Sequence, residues 1–492
     1  MKQEGEMETA VKTQTGTSAP PIQPPQAGLF DRLKNLRGLW RDIASSWGGA
    51  PKTISPELPP DDANALRAQM QDCLQEKGGE VSARGRAAAL GRSYLALNAE
   101  GRKRFLRILA DEFGTDRASV DAAMAAVATA ADLSARTKAE QALRTALESP
   151  RQKLLTQFNA LPEGVKFLVD MRAELLGLTK NDPAMAGLEN DLKELLDSWF
   201  DVGFLTLERI TWRSPALVLE KIMAYEAVHA IQGWRDLKNR LDSDRRLYAF
   251  FHPRMPDEPL IFVEVALVDG MAGNVRELLD ENAPVGDPDK ADTAIFYSIN
   301  NAQKGLVGIS FGNFLIKKVV DSLSHEFPNL KTFATLSPIP GFRSWLDDRI
   351  AATGEASLLQ PTDQKILAAA SKVLGAEASL KAILAASWQD DAALAVQLRP
   401  LLSRLCVRYL GEKKGSNPGR ALDPVAHFHL TNGARIERLN WLGDVSAKGL
   451  AQSAGMMINY LYKLTEIDAN HEAYRGQGKI IMSSGVKGLG KE

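Results

Sequence analysis

Cysteine is almost missing from this chain of 492 residues, with only Cys73 and Cys406 present. Two thiols cannot build the disulfide framework of a small secreted scaffold, so a reducing compartment, the cytoplasm, is expected. An excess of either charge is also missing. Sixty Lys and Arg residues face 61 Asp and Glu, for a formal net charge of −1. No global field therefore draws the chain toward nucleic acid or an anionic membrane. No run of about 18 apolar residues occurs, so no membrane span is expected. Histidine is scarce, and His229, His252, His325, His427, His429 and His471 all lie beyond residue 225. Any imidazole chemistry belongs to that second part.

What is present is an ordinary globular composition, 45% hydrophobic and 25% charged. Residues 1–27, rich in Pro, Gln and Thr, read as a disordered leader. Residues 28–47 form a basic amphipathic stretch, expected to be a helix docked on its own domain or on a partner subunit. Together these make a first unit, 1–60. Residues 61–225 read as helix throughout, a helical domain for oligomerisation or for use as a lid. Leu192, Leu195, Leu196, Trp199 and Phe200 repeat at the spacing of one buried helical face. Pro162 and Glu163 suit a helix opening.

From 226 to 492 the pattern changes to a second, catalytic domain. RLYAFF (246–251), PLIFVEVALV (259–268), AIFYSI (294–299) and KTFATL (331–336) are strand-like, with turn formers between them. A helix is expected at 312–326. Residues 350–412, rich in Ala and Leu, read as a helical insertion. VAHFHL (425–430) and RIERLN (435–440), around a TNG turn, read as a hairpin. In that hairpin Val425, His427 and His429 would share one face.

Three local features carry chemistry. After the strand ending near 299 comes QKGLVGISFGNFLIKK, with Gly305, Gly308 and Gly312 ahead of a helix. Glycines allow close backbone approach, and free N–H groups at a helix start favour an anion. The same loop could equally be a simple strand-to-helix turn. Lys317 and Lys318 on the helix are either phosphate contacts or solvated surface. Ser337 follows a strand and is stiffened by Pro338 and Pro340; it is either a positioned hydroxyl or a turn cap. His427 and His429 lack the third ligand that a metal needs, so no metal is expected. One of them suits acid/base work and the other a structural role.

FYSINNAQKGLVGISFGNFLIKKVV (296–320), TLSPIPGFRSWL (335–346), DPVAHFHLTNGARIERLNWLGDVSAKGLAQSAGMMINY (423–460) and HPRMPDEPLIFVEVAL (252–267) together resemble the malonyl-CoA decarboxylases. The resemblance implies an α+β protein, with an N-terminal all-helical domain followed by a GNAT-like (acyl-CoA N-acyltransferase) catalytic domain. It implies homo-oligomers, typically tetramers, and conversion of malonyl-CoA to acetyl-CoA and carbon dioxide. It makes Ser337 and His429 catalytic. It assigns malonyl-CoA contact to Gln303, Lys304, Gly305, Leu306, Val307, Gly308 and Ile309, with Gly312 closing the glycine set. His427 and Tyr460 would orient the site or line the pocket. No cofactor is expected, because the coenzyme A thioester can accept the electrons released by decarboxylation. An acyltransferase using the same loop, or a non-catalytic acyl-CoA sensor, are the rival readings. Carbon dioxide release from malonyl-CoA alone separates them.

Overall fold

A computed structural model describes residues 40–44, 54–75, 79–200, 202–309, 315–415 and 417–491. The leader 1–27 and most of the amphipathic stretch lie outside the described residues. The described piece of that stretch, 40–44, is helical. Trp40 is buried there, and its Nε1–H donates to Pro162 O at 2.9 Å. This segment therefore docks on its own chain.

The first half is a helical layer. Pro60–Leu74, Glu80–Ala96, Ala99–Glu112, Pro150–Gln157, Gly164–Leu176 and Pro183–Trp199 surround a core that includes Leu66, Leu90, Phe105, Leu168 and Leu192. Asn98 and Asp182 start their helices by accepting from the Gly101 and Met185 N–H groups. Such caps satisfy amides that the helix itself leaves orphaned. Truncating a buried leucine of this core, such as Leu192, costs about 2–5 kcal/mol. The helices Arg117–Ala128 and Leu133–Leu147 bury none of their own residues.

The stretch 61–225 is not helical throughout. Thr206–Ile210 is a strand, β1, and it pairs antiparallel with β2 (Arg245–Phe251). β3 (Ile261–Val268) and β4 (Thr293–Asn301) continue the antiparallel ladder. β5 (Thr332–Thr335) then lies parallel to β4. β6 is the short Ser337–Pro338, while β7 (Lys413–Lys414) and β8 (Asn417–Ala421) form a separate small ribbon. β9 (Arg435–Asn440) and β10 (Met457–Leu461) complete the sheet in the order β1-β2-β3-β4-β5-β10-β6, with β9 on β10. Between β6 and β7 run the helices Phe342–Thr353, Pro361–Leu374, Leu380–Ala385 and Ala392–Gly411, so the expected insertion is helical.

One expected strand is a helix. Pro424–Thr431 is helical, with Asp423 Oδ1 accepting from Ala426 N–H at 2.8 Å. A cap followed by proline at the first helical position outweighs the strand preference of Val, Phe and Thr. The hairpin face shared by Val425, His427 and His429 therefore does not exist. Among the described residues, no helix is long and apolar enough to cross a membrane.

Candidate active site

The cavity follows from a fault in the sheet. β4 and β5 pair only from Thr293–Phe296 against Thr332–Thr335. β4 then runs on to Asn301 beside β3, whereas the other chain passes through Leu336 into β6 and pairs with β10. Two parallel strands that part leave a wedge no side chain of the sheet fills. A cavity of about 610 Å³ opens there, lined by Phe296, Ile299, Gly308, Ser337 and His429 among others.

Ser337 and His429 meet on its wall, although 92 residues separate them. The Ser337 Oγ lies 3.2 Å from His429 Nε2 and donates to Thr335 Oγ1 at 2.8 Å. Thr335 Oγ1 also accepts the Tyr460 backbone N–H. With the serine proton committed to Thr335, the consistent assignment puts a proton on Nε2, which donates to Ser337 Oγ. His429 Nδ1 then accepts from Tyr462 O–H at 2.7 Å. The Tyr460 ring stacks on the imidazole at 4.4 Å between centroids. Tyr460 is buried behind the histidine, not on the cavity wall. Burial alone pushes His429 down to about 3, so the free site holds a neutral imidazole.

Asp423 joins the two segments that carry the pair. It caps the histidine helix and accepts from Tyr409 O–H at 2.9 Å. Tyr409 in turn lies where a side chain at Gly341, just past the serine turn, would stand. His427 is two residues from His429, which on a helix turns it about 200° away. Its Nδ1 pairs with Tyr474 OH at 2.7 Å, and that hydroxyl accepts the Ala421 N–H. Burial, then the nearby Arg420, lower His427 to about 4. It lines the cavity without approaching Ser337 by any hydrogen bond.

The glycine loop is divided in its allegiance. Gly308, with φ of +78°, and Ile309 line the cavity. Gln303 turns inward and donates to Glu258 and Pro259 O. Leu306 is core, and Lys304 and Val307 are exposed. Gly305 is pressed on the helical half: a Cβ there would stand 1.8 Å from Val169 O. Arg172, 2% exposed, donates to Gly305 O at 2.5 Å and Val307 O at 2.9 Å while holding Glu189. Gly312 lies outside the described residues. Gly308–Gly312 also has the Gly-x-Ser-x-Gly spacing of a nucleophile elbow. That elbow needs a strand running directly into the turn. Here β4 ends at Asn301 and a 3₁₀ turn, Lys304–Leu306, intervenes. Lys317 pairs with Asp468 at 3.8 Å.

Sequence reasoning missed Thr335, Tyr462, Asp423 and Arg172. Two of them left a signal: Thr335 and Ser337 are two apart on an extended segment, and Asp423-Pro424 is a helix-opening pair. Tyr462 and Arg172 left none, because their partners are remote in sequence.

A family profile described as malonyl-CoA decarboxylase C-terminal domain matches residues 203–492, and one for the N-terminal domain matches 113–200. The protein of Anser anser anser named mitochondrial malonyl-CoA decarboxylase is 38% identical over 417 residues, covering 82% of each chain. Its Rattus norvegicus namesake is 37% identical over 457 residues, covering 89% of this chain and 88% of its own. The crystal structure of malonyl-CoA decarboxylase from Rhodopseudomonas palustris superposes with a TM-score of 0.78 at 43% identity, covering 86% of this chain and 99% of that one. The one from Agrobacterium vitis gives 0.78 at 42%, covering 87% and 100%.

Proposed function

We propose a role for each group in the cavity from one premise: this chain belongs to the malonyl-CoA decarboxylase family and is a carboxy-lyase. Malonyl-CoA enters the wedge with its acyl end at Ser337 and His429 and its nucleotide at the loop 303–309. The bond from the α-carbon to the carboxylate breaks, and its electron pair flows into the thioester carbonyl. Carbon dioxide leaves and an enolate remains. Because the thioester is the electron sink, the reaction needs no metal or organic cofactor. One proton, ultimately from solvent, then goes to the α-carbon to give acetyl-CoA.

Ser337 and His429 supply that proton. In the free enzyme His429 is neutral, so its Nε2–H reaches the serine as a hydrogen-bond donor and not as a charged acid. A substrate carboxylate beside the ring favours the protonated form and raises its pKa. The dry wall around the ring strengthens each of these interactions. Tyr462 fixes the other ring nitrogen, and so decides which nitrogen faces the serine. The observation that carries this reading is the 3.2 Å Ser337–His429 contact on the cavity wall.

The parted parallel strands with a glycine loop after the first of them support a GNAT-like catalytic domain, with residues 226–492 as that unit and 61–225 as the helical one. Gly308 and Ile309 on the cavity wall support the loop as the coenzyme A contact. Cytoplasmic location and a homo-oligomer, probed by fractionation and light scattering, complete the proposal. The central test is incubation with malonyl-CoA alone in deuterated water. Carbon dioxide and singly deuterated acetyl-CoA are expected. Product without solvent deuterium would overturn the proton path.

A further inference from the structure

We infer that the helical half completes the nucleotide end of the site, with Arg172 setting the loop and Lys193 meeting a phosphate of the bound thioester. The inference rests on the loop 303–309 being the coenzyme A contact. It begins with one peptide unit. A trans peptide points its C=O and N–H in opposite directions. Arg172 grips the carbonyl of Val307, so the N–H that follows, on Gly308, faces away from the buried guanidinium. That N–H has no partner among the described residues, and Gly308 lines the cavity. The positive φ of Gly308 admits this arrangement without strain.

The second observation is a lysine side chain beside the same glycine. A Cβ built on Gly308 would have Lys193 Cε as its neighbour, at 3.9 Å. Lys193 belongs to the helix Pro183–Trp199, and among the described residues its one ion pair is a long one, 3.8 Å to Asp197. An exposed pair of that kind contributes little and exchanges readily for a better anion. A free amide on the cavity wall and a lysine side chain passing the same glycine suit a phosphate ester, which carries the charge and the acceptor oxygens for both. Arg172 does not touch the ligand. It is a positioning residue, held by Glu189 so that its remaining N–H groups face the loop.

Steady-state kinetics of the full chain with two substrates test this: malonyl-CoA, and malonyl-pantetheine, which lacks the diphosphate and nucleotide. Lys193→Ala and Arg172→Lys should each raise KM for malonyl-CoA about tenfold or more, with kcat held. KM for malonyl-pantetheine should not move, and Lys193→Arg should restore the wild-type value. Unchanged KM for malonyl-CoA, or equal damage with both thioesters, would overturn the inference. Lys193→Ala alters a half-exposed surface side chain and keeps the test available if Arg172→Lys folds poorly. Lys304→Glu and Val307→Glu test the loop itself. If these raise KM while Lys193→Ala and Arg172→Lys do not, the helical contribution alone fails. If none of the four has an effect, the loop reading falls and takes the helical contribution with it. Malonyl-dephospho-CoA separates the sources: a penalty that persists assigns the diphosphate, and one that vanishes assigns the 3′-phosphate.

Discussion

Helices from Pro60 to Trp199 bury leucine and phenylalanine against one another and contain no histidine, whereas the sheet half holds all six imidazoles and the cavity. The first half is built from contacts that tolerate any pH between mild acid and base. The second buries groups whose charge depends on it. Yet the border between the halves is not the border between scaffold and site. Gly305 rests on the main chain of one helix and Arg172 reaches two carbonyls of the loop. On the proposed reading, bond breaking is concentrated in one half, while grip on the substrate draws on both.

The contrast can be pressed hardest at the reacting pair. Ser337→Ala and His429→Ala should each lower kcat by about 10²–10⁴-fold, with KM moving far less. Wild-type turnover in both variants would remove the chemistry from the sheet half. The seam comes next. Gly305→Ala places a methyl against Val169 O and should cost about 1–3 kcal/mol of stability, read as a lower urea midpoint, together with a raised KM. A neutral result would mean that the halves are not closely apposed. Tyr462→Phe should reduce kcat about tenfold, on the scale of one lost hydrogen bond, without a matching change in KM.

The smallest effect separates the halves by pH. Burial holds His429 at about 3, and His427 and His229 at about 4, below the ordinary 6.5. Between those values the folded state binds fewer protons than the unfolded one, so stability falls as pH drops below about 6.5. Glu264 and Asp423, pushed up by burial, run the other way, but with His252, which burial also lowers, four imidazoles outnumber two carboxyls. In the helical half the lowered carboxyls are Asp116, bonded to Ser119, and Asp182, bonded to Arg107, whose contributions persist until pH falls below the ordinary aspartate range. Hydrogen exchange between pH 7 and 5 should therefore show the sheet half losing protection first. Equal loss in both halves would contradict the buried, neutral histidines.

The strands from Arg245 to Thr335 were legible because β-branched and aromatic residues cluster between turn formers. Thr206–Ile210 was not, since five residues after a long helical stretch carry too little pattern to mark a change. At Pro424–Thr431 two local signals compete, strand-forming side chains against an Asp-Pro cap, and the cap prevails. Ser337 and His429 were legible only through the resemblance of their surrounding motifs. No local rule brings together side chains from a strand end and a helix so far apart in the chain. The same holds for Tyr462 at the ring and Arg172 at the loop, whose partners are set by the packing of whole elements.

The contact of Gly305 with Val169 has a bearing on how the protein is born. A ribosome releases the N-terminal part first. The helix carrying Val169 and Arg172 is thus outside the exit tunnel before the loop has been translated. The groups that grip the loop are thus made before the loop itself, whereas a polypeptide begun after the helices would have to hold that curve unaided.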